Sequence, residues 1–195
     1  MKKYGYRQGN ADHTLFIKRM GSKVTLLVIY VDDMIVTSDD TEEIKGLQRY
    51  LSSEFEMKDL GGFKYFLGIE VARSRDGIYL SQQKEDHMAA VMRILNYLKG
   101  APGRRLIFMK HGHIEVNGYT DANWVGNITD RRSTLGYFTI IAGNLVTWRS
   151  KKQNVVARST TEVEYIGMAR GICELLWLRI LFIEIGFKPQ GSMLL

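Results

Sequence analysis

Between Thr25 and Ser38 the chain reads TLLVIYVDDMIVTS. Two apolar, β-branched segments are separated only by a pair of adjacent carboxylates. The continuous run Thr25–Val31 predicts a strand covered on both faces. Met34–Ser38 predicts its partner. Asp32 and Asp33 fall where a tight turn is needed, and Asp tolerates such turns. The pattern therefore predicts a buried antiparallel hairpin with two acids projecting from its edge.

The rest of the chain reads as further short elements. DDTEEIKGLQRYLSSEF predicts a helix with Asp40 as N-cap and Ile44, Leu47, Leu51 and Phe55 as its apolar stripe. FKYFLGIEVARSRDGIYLSQ predicts a second hairpin turned at Arg75–Gly77. EDHMAAVMRILNYLKG, Glu85–Gly100, predicts a helix closed by Gly100 and Pro102. Four strands are expected in RRLIFMK, IEVNGYTD, LGYFTII and NLVTWRS. A last long helix is expected from Thr160 to Ile185, stopped by GFKP, with Ile166, Ala169, Cys173, Leu176, Ile180 and Ile183 as its buried stripe. A segment boundary is expected near Lys84 or at Gly100–Gly103.

Composition narrows the class. Apolar residues make up 45% of the 195, enough for a core and too many for wholesale disorder. A single cysteine, Cys173, leaves no internal disulfide framework and fits a reducing intracellular compartment, cytoplasm or nucleus. The most hydrophobic stretch, ICELLWLRILFIEIGF, contains Glu174, Arg179 and Glu184, so no membrane span is expected. MKKYGYRQGN is charged without a following apolar run, so no signal peptide is read there. Residues 1–99 hold 15 Lys/Arg against 14 Asp/Glu, and residues 100–195 hold 12 against 7. A basic second half points to a polyanion partner, although the same excess spread over a surface is ordinary.

Several residues could carry chemistry. Asp32 and Asp33 read either as a solvated acidic turn or as ligands for Mg²⁺, which takes hard oxygen donors and leaves room for phosphates. Arg149, Lys151, Lys152 and Arg158 read either as a phosphate-contacting edge or as a solvated loop. His111 and His113 lack a further His or Cys to complete a metal set. Trp124 and Trp148 are expected in the core.

YVDDM, within GYRQGNADHTLFIKR, LLVIYVDDMIVTSDD and LSSEFEMKDLGGFKYFLGIEVARSRDGIYLSQQK, resembles the reverse transcriptase region of copia-type retrotransposon Pol polyproteins, the plant kind in particular. The resemblance covers nearly all of residues 4–84. It implies that Asp32 and Asp33 bind catalytic metal in a polymerase palm. GYTDANWVGNITDRRSTLGYFTIIAGNLVTWRSKKQNVVARSTTEVEY resembles the ribonuclease H domain of the same polyproteins. There Asp121 matches the first catalytic Asp, and the acid in STTEVEY matches a catalytic Glu.

Helical spacing selects between the two acids of that motif. Glu162 stands one turn before Ile166, on the expected stripe, and Glu164 stands near the opposite side. If the helix packs on the sheet face carrying Asp121, Asp121 and Glu162 converge while Glu164 points away. The competing reading of Glu162 is a capping box with Ser159, three residues earlier.

The resemblance also carries departures. The palm's earlier Asp lies upstream of anything present. Lys84 runs directly into a helix that the family places just before its ribonuclease domain, so an internal block is missing. GSMLL falls short of the YCDN motif that supplies a third ribonuclease carboxylate. The expected architecture is α+β: a partial reverse transcriptase palm of hairpins plus a helix at 1–84, a connecting helix at 85–100, and the N-terminal half of a ribonuclease H-like mixed α/β fold at 101–195. The expected function is that of a Pol fragment, ancestrally an RNA-directed DNA polymerase and hybrid ribonuclease, catalytically incomplete, with weak or no Mg²⁺ binding. Its ancestral partner is a template-primer or RNA–DNA hybrid. The alternative is a non-catalytic or co-opted nucleic-acid-binding domain.

Overall fold

The computed structural model describes all residues except 63, 67, 68, 76, 83–105, 111–113, 126–129 and 188–190. The helix expected at 85–100, the boundaries at Lys84 and Gly100–Gly103, and the pair His111 and His113 lie outside the described residues. The chain divides into two compact units, one of residues 1–67 with 178–188 and one of residues 68–177 with 189–195.

In the first unit an antiparallel sheet runs in the order β1 (Arg7–Gln8), β2 (Leu15–Met20), β3 (Lys23–Tyr30), β4 (Asp33–Ser38). A helix, α1 (Thr41–Glu54), and a short strand, β5 (Tyr65–Phe66), follow. Asp40 caps α1 as expected, its side chain accepting from the N–H groups of Glu42 and Glu43. Leu47 and Leu51 are fully buried against Leu27 and Tyr6, with Phe16, Ile29, Met34 and Val36 around them. Phe55 is 55% exposed and stands outside the helix, so the stripe ends at Leu51. The covering of β3 is also less complete than its composition suggested. Thr25 and Leu27 are buried on the α1 face, whereas Val24, Leu26 and Val28 on the other are only half-buried.

The second unit contains β6 (Ile69–Arg73), β7 (Gly77–Gln82), β8 (Leu106–Met109), β9 (Val116–Asn123), β10 (Thr134–Ile141) and β11 (Asn144–Lys152). β6, β7 and β8 pair antiparallel in that order, with the predicted turn between Arg73 and Ile78. β9, β10 and β11 form an antiparallel meander. Leu194 adds a parallel bridge to the free side of β9 through Gly118 N–H to Leu194 O at 2.7 Å and Leu194 N–H to Val116 O at 3.2 Å.

The long helix, α2 (Thr160–Ile185), begins in this second unit. It ends as predicted at Gly186, whose φ of 97° lets Gly186 and Phe187 return hydrogen bonds to Phe182 O. Its buried face is not the expected one. Val163, Gly167, Gly171, Leu175 and Leu178 are buried. Ala169, Cys173, Leu176, Ile180 and Ile183 are exposed, and Ile166 is half-buried. The helix is apolar on most sides, so large residues alone do not choose a face. The glycines do: they let the helix lie close on β9, with a Cβ at Gly171 falling 2.5 Å from Thr120 Cγ2. Among the described residues no helix is long and apolar enough to cross a membrane.

Candidate functional site

The hairpin that carries the acid pair closes with Tyr30 opposite Asp33, leaving Val31 and Asp32 as a two-residue turn. Asp33 is therefore the first residue of β4 rather than part of the turn. Strand alternation places Asp33 with Tyr30 on the face away from α1. Val31 takes a φ of 51°, a conformation that a β-branched residue enters only under constraint. The strain sits beside the acids, in a turn where Val31 is 81% exposed. Asp32 and Asp33 are both exposed, and neither side chain makes a hydrogen bond or ion pair among the described residues. They differ in this from Asp40, which Lys23 engages at 3.0 Å and holds below the usual carboxylate range.

Such a pair has the right donor chemistry for one hydrated Mg²⁺, which needs few protein ligands and keeps several waters. Among the described residues no cluster of three or more His, Cys, Asp or Glu gathers here or elsewhere.

Asp121 and Glu162 are not brought together. Tyr137 pairs with Thr120 and Leu135 with Ala122, and α2 covers these side chains. Asp121 pairs with Gly136 and lies on the other face, beside the stacked rings of Tyr119 and Phe138. The expected convergence fails because α2 packs on the Thr120 face, not on the Asp121 face. Asp121, Glu162 and Glu164 are all exposed. Glu162 is occupied as a helix cap. Its N–H donates to Ser159 Oγ at 3.1 Å, and its Oε2 accepts from the Arg158 N–H at 2.8 Å.

The basic residues divide as well. Arg149 and Lys151 pair with Tyr137 and Leu135, so they stand on the α2 side of β11. Lys152 faces the other way and binds Asp130. Arg158 is exposed in the loop before α2. Arg170 of α2, which the sequence did not single out, lines a recess with Arg149 and Lys151. Only the correct buried face of α2, marked by Gly167 and Gly171, would have placed it there. Trp124 is 42% exposed rather than buried, its Nε1 donating to Ala157 O at 3.1 Å.

The profile of the reverse transcriptase (RNA-dependent DNA polymerase) family matches residues 1–102. The retrovirus-related Pol polyprotein from transposon RE2 of Arabidopsis thaliana is 26% identical over 94% of this chain and 18% of that protein. The corresponding polyprotein from transposon TNT 1-94 of Nicotiana tabacum is 27% identical over 97% of this chain and 20% of that protein. An uncharacterized mitochondrial protein of Arabidopsis thaliana is 27% identical over 77% of this chain and 93% of that protein. No solved structure matches. The chain spans about a fifth of the length of the two Pol polyproteins. The RE2 alignment runs over 257 residues, more than the 195 of the chain, so that relative carries residues within the aligned region that have no counterpart in this chain. With a two-carboxylate hairpin at Asp32–Asp33 inside the matched region, the chain belongs to the reverse transcriptase (RNA-dependent DNA polymerase) family, as a segment of the retrotransposon Pol kind.

Proposed function

We propose that this chain binds polynucleotide as a Pol-derived segment and completes neither of the ancestral reactions, RNA-directed DNA synthesis or hybrid cleavage. Its parts are a polymerase-type segment at 1–84, a connecting segment at 85–100 and a ribonuclease H-like segment at 101–195. The observation that carries this reading is the isolation of the acid pair. Asp32 and Asp33 stand at a hairpin tip with no third carboxylate gathered to them among the described residues. Two-metal phosphoryl transfer clamps the attacking and leaving oxygens between ions about 3.5–4 Å apart, and that requires bridging ligands beyond a single pair. Asp32 and Asp33 are the residues that would hold one Mg²⁺ with waters. When bound, the ion would neutralise phosphate charge.

Two observations support the ribonuclease H-like segment. The meander β9–β10–β11 carries α2 on one face, and Leu194, at the end of the GSMLL segment, bridges the far side of β9 in parallel. The separation of Asp121 from Glu162 by the sheet is why hybrid cleavage is excluded from the proposal. A reducing location, cytoplasm or nucleus, belongs to the same reading and fits the exposed free thiol of Cys173. A second reading, a co-opted binding domain without a role in replication, has one observation behind it. The mitochondrial relative is matched over 93% of its length, so a chain of comparable span exists outside a full polyprotein.

The test is primer extension on an RNA template with Mg²⁺, run beside a binding measurement on the same template-primer. Binding without extension is expected. Nucleotide incorporation that disappears in Asp32→Asn would refute the proposal.

A further inference from the structure

Arg149, Lys151 and Arg170 converge on one recess in the second unit. It lies over Gly136 and Gly167, whose missing side chains open it, and its volume is about 10 Å³. That is room for one water-sized atom and too little for a sugar or a base. A ligand that uses it must insert a single oxygen and spread the rest of its charge over the rim.

The charge around the recess is predominantly positive. Every ion pair elsewhere among the described residues joins a cation to an acid: Lys18 to Glu43, Lys23 to Asp40, Lys45 to Glu42, Arg7 to Glu184 and Lys152 to Asp130. None of the three cations at the recess has a described carboxylate within ion-pair distance. Arg170 Nη2 donates to the neutral Gln153 Oε1 at 3.0 Å. The nearby acid on α2 is Glu174, whose carboxylate accepts from the Tyr137 hydroxyl at 3.0 Å. Tyr137 also interacts with Arg149. The Tyr137–Glu174 contact and Gln153 therefore fix the rim and set one carboxylate against three cations, which leaves the rim net positive. Three like charges held together repel, and an anion that bridges them relieves the repulsion.

We propose that Arg149, Lys151 and Arg170 form a clamp for the backbone phosphates of a polynucleotide, and that Lys152 and Arg158 are not part of it. Arg supplies a planar fork for phosphate oxygens, and Lys supplies a point charge at the rim. Contact through phosphate alone makes the binding independent of sequence. This clamp rests on the polynucleotide-binding reading above and gives that reading a location on the α2 side of β11.

The experiment is fluorescence anisotropy of the full chain with labelled single-stranded DNA and with a labelled RNA–DNA hybrid, at several salt concentrations. Arg149→Gln, Lys151→Gln and Arg170→Gln are each expected to weaken binding roughly three- to tenfold and to lower the salt slope by about 1. Lys152→Gln is expected to change affinity less than about twofold, because its charge is already met by Asp130. Arg170→Lys keeps the charge and is expected to bind within about threefold of the parent. Circular dichroism on each variant identifies loss of fold. Should Arg170→Gln unfold, the exposed rim variants at Arg149 and Lys151 decide the matter.

Wild-type affinity and salt slope in the rim variants would overturn the clamp, as would an equal loss in Lys152→Gln. Inorganic phosphate is expected to compete only far above the concentration of polynucleotide phosphate. Competition at equal phosphate would overturn the assignment to a polynucleotide. Absence of any binding by the parent chain would remove the functional reading and the clamp together. Binding by the parent that the rim variants leave intact would remove the clamp alone.

Discussion

Single residues settle which acids are free to act. Glu162 and Asp32 look alike in the sequence, as acids matched to catalytic motifs. Glu162 turns its carboxylate to a backbone N–H at the start of α2, and Asp32 has no partner among the described residues. Glu184 is a third case that no motif flagged. It is 7% exposed and accepts from the N–H groups of Asn10 at 2.9 Å and Ala11 at 3.1 Å, with Arg7 at 3.7 Å. Burial alone would raise its pKa, but these donors and the Arg7 charge outweigh burial and hold it below the ordinary 4.5. A depressed carboxylate contributes stability above its unfolded pKa and loses it as pH falls through the folded value. Urea unfolding should therefore show a loss of stability as pH falls below 4.5 that is smaller in Glu184→Gln, where the depressed carboxylate of Asp40 still contributes. Glu184→Ala should cost about 2–3 kcal/mol at pH 7, since it removes a buried charged acceptor that two N–H groups and Arg7 engage. A pH-independent midpoint in the parent below pH 4.5 would contradict this.

At the scale of elements, strands were easier to read than the faces of the long helix. The hairpin β3–β4, the second hairpin β6–β7 and the meander β9–β11 all follow from β-branched runs punctuated by turn residues. The buried face of α2 was displaced from the reading based on large apolar residues because the helix meets the sheet through glycine. A Cβ at Gly171 would meet Thr120 Cγ2 at 2.5 Å and Leu195 Cδ1 at 2.7 Å, whereas at Gly167 the nearest atoms lie at 3.7 and 3.8 Å. The two positions should respond oppositely. Gly167→Ala should stabilise by about 0.5–1 kcal/mol through helix propensity. Gly171→Ala should destabilise by about 1 kcal/mol, because overpacking of 1–3 kcal/mol exceeds that gain. Thermal melts of the two variants check the claim, and a shift in the same direction for both would mean that α2 is not seated on β9 as described.

For the molecule as a whole, the family signal and the local elements were legible because they reside in short contiguous strings. The relation between Asp121 and Glu162 was not, because it depends on which face of β9 the helix covers. Strand alternation says that Thr120 and Asp121 face opposite ways but not which of them meets the helix. The acid pair at Asp32–Asp33 needed no such choice, since a hairpin tip fixes its own surroundings. The two halves thus carry different features: an exposed acid pair in the first, and a basic recess in the second. The most direct measurement is a Mn²⁺ titration followed by electron paramagnetic resonance on the parent chain, Asp32→Asn, and the double variant Asp121→Asn, Glu162→Gln. The account predicts one weak site, lost in Asp32→Asn and unchanged in the double variant. A site that survives Asp32→Asn and disappears in the double variant would contradict it.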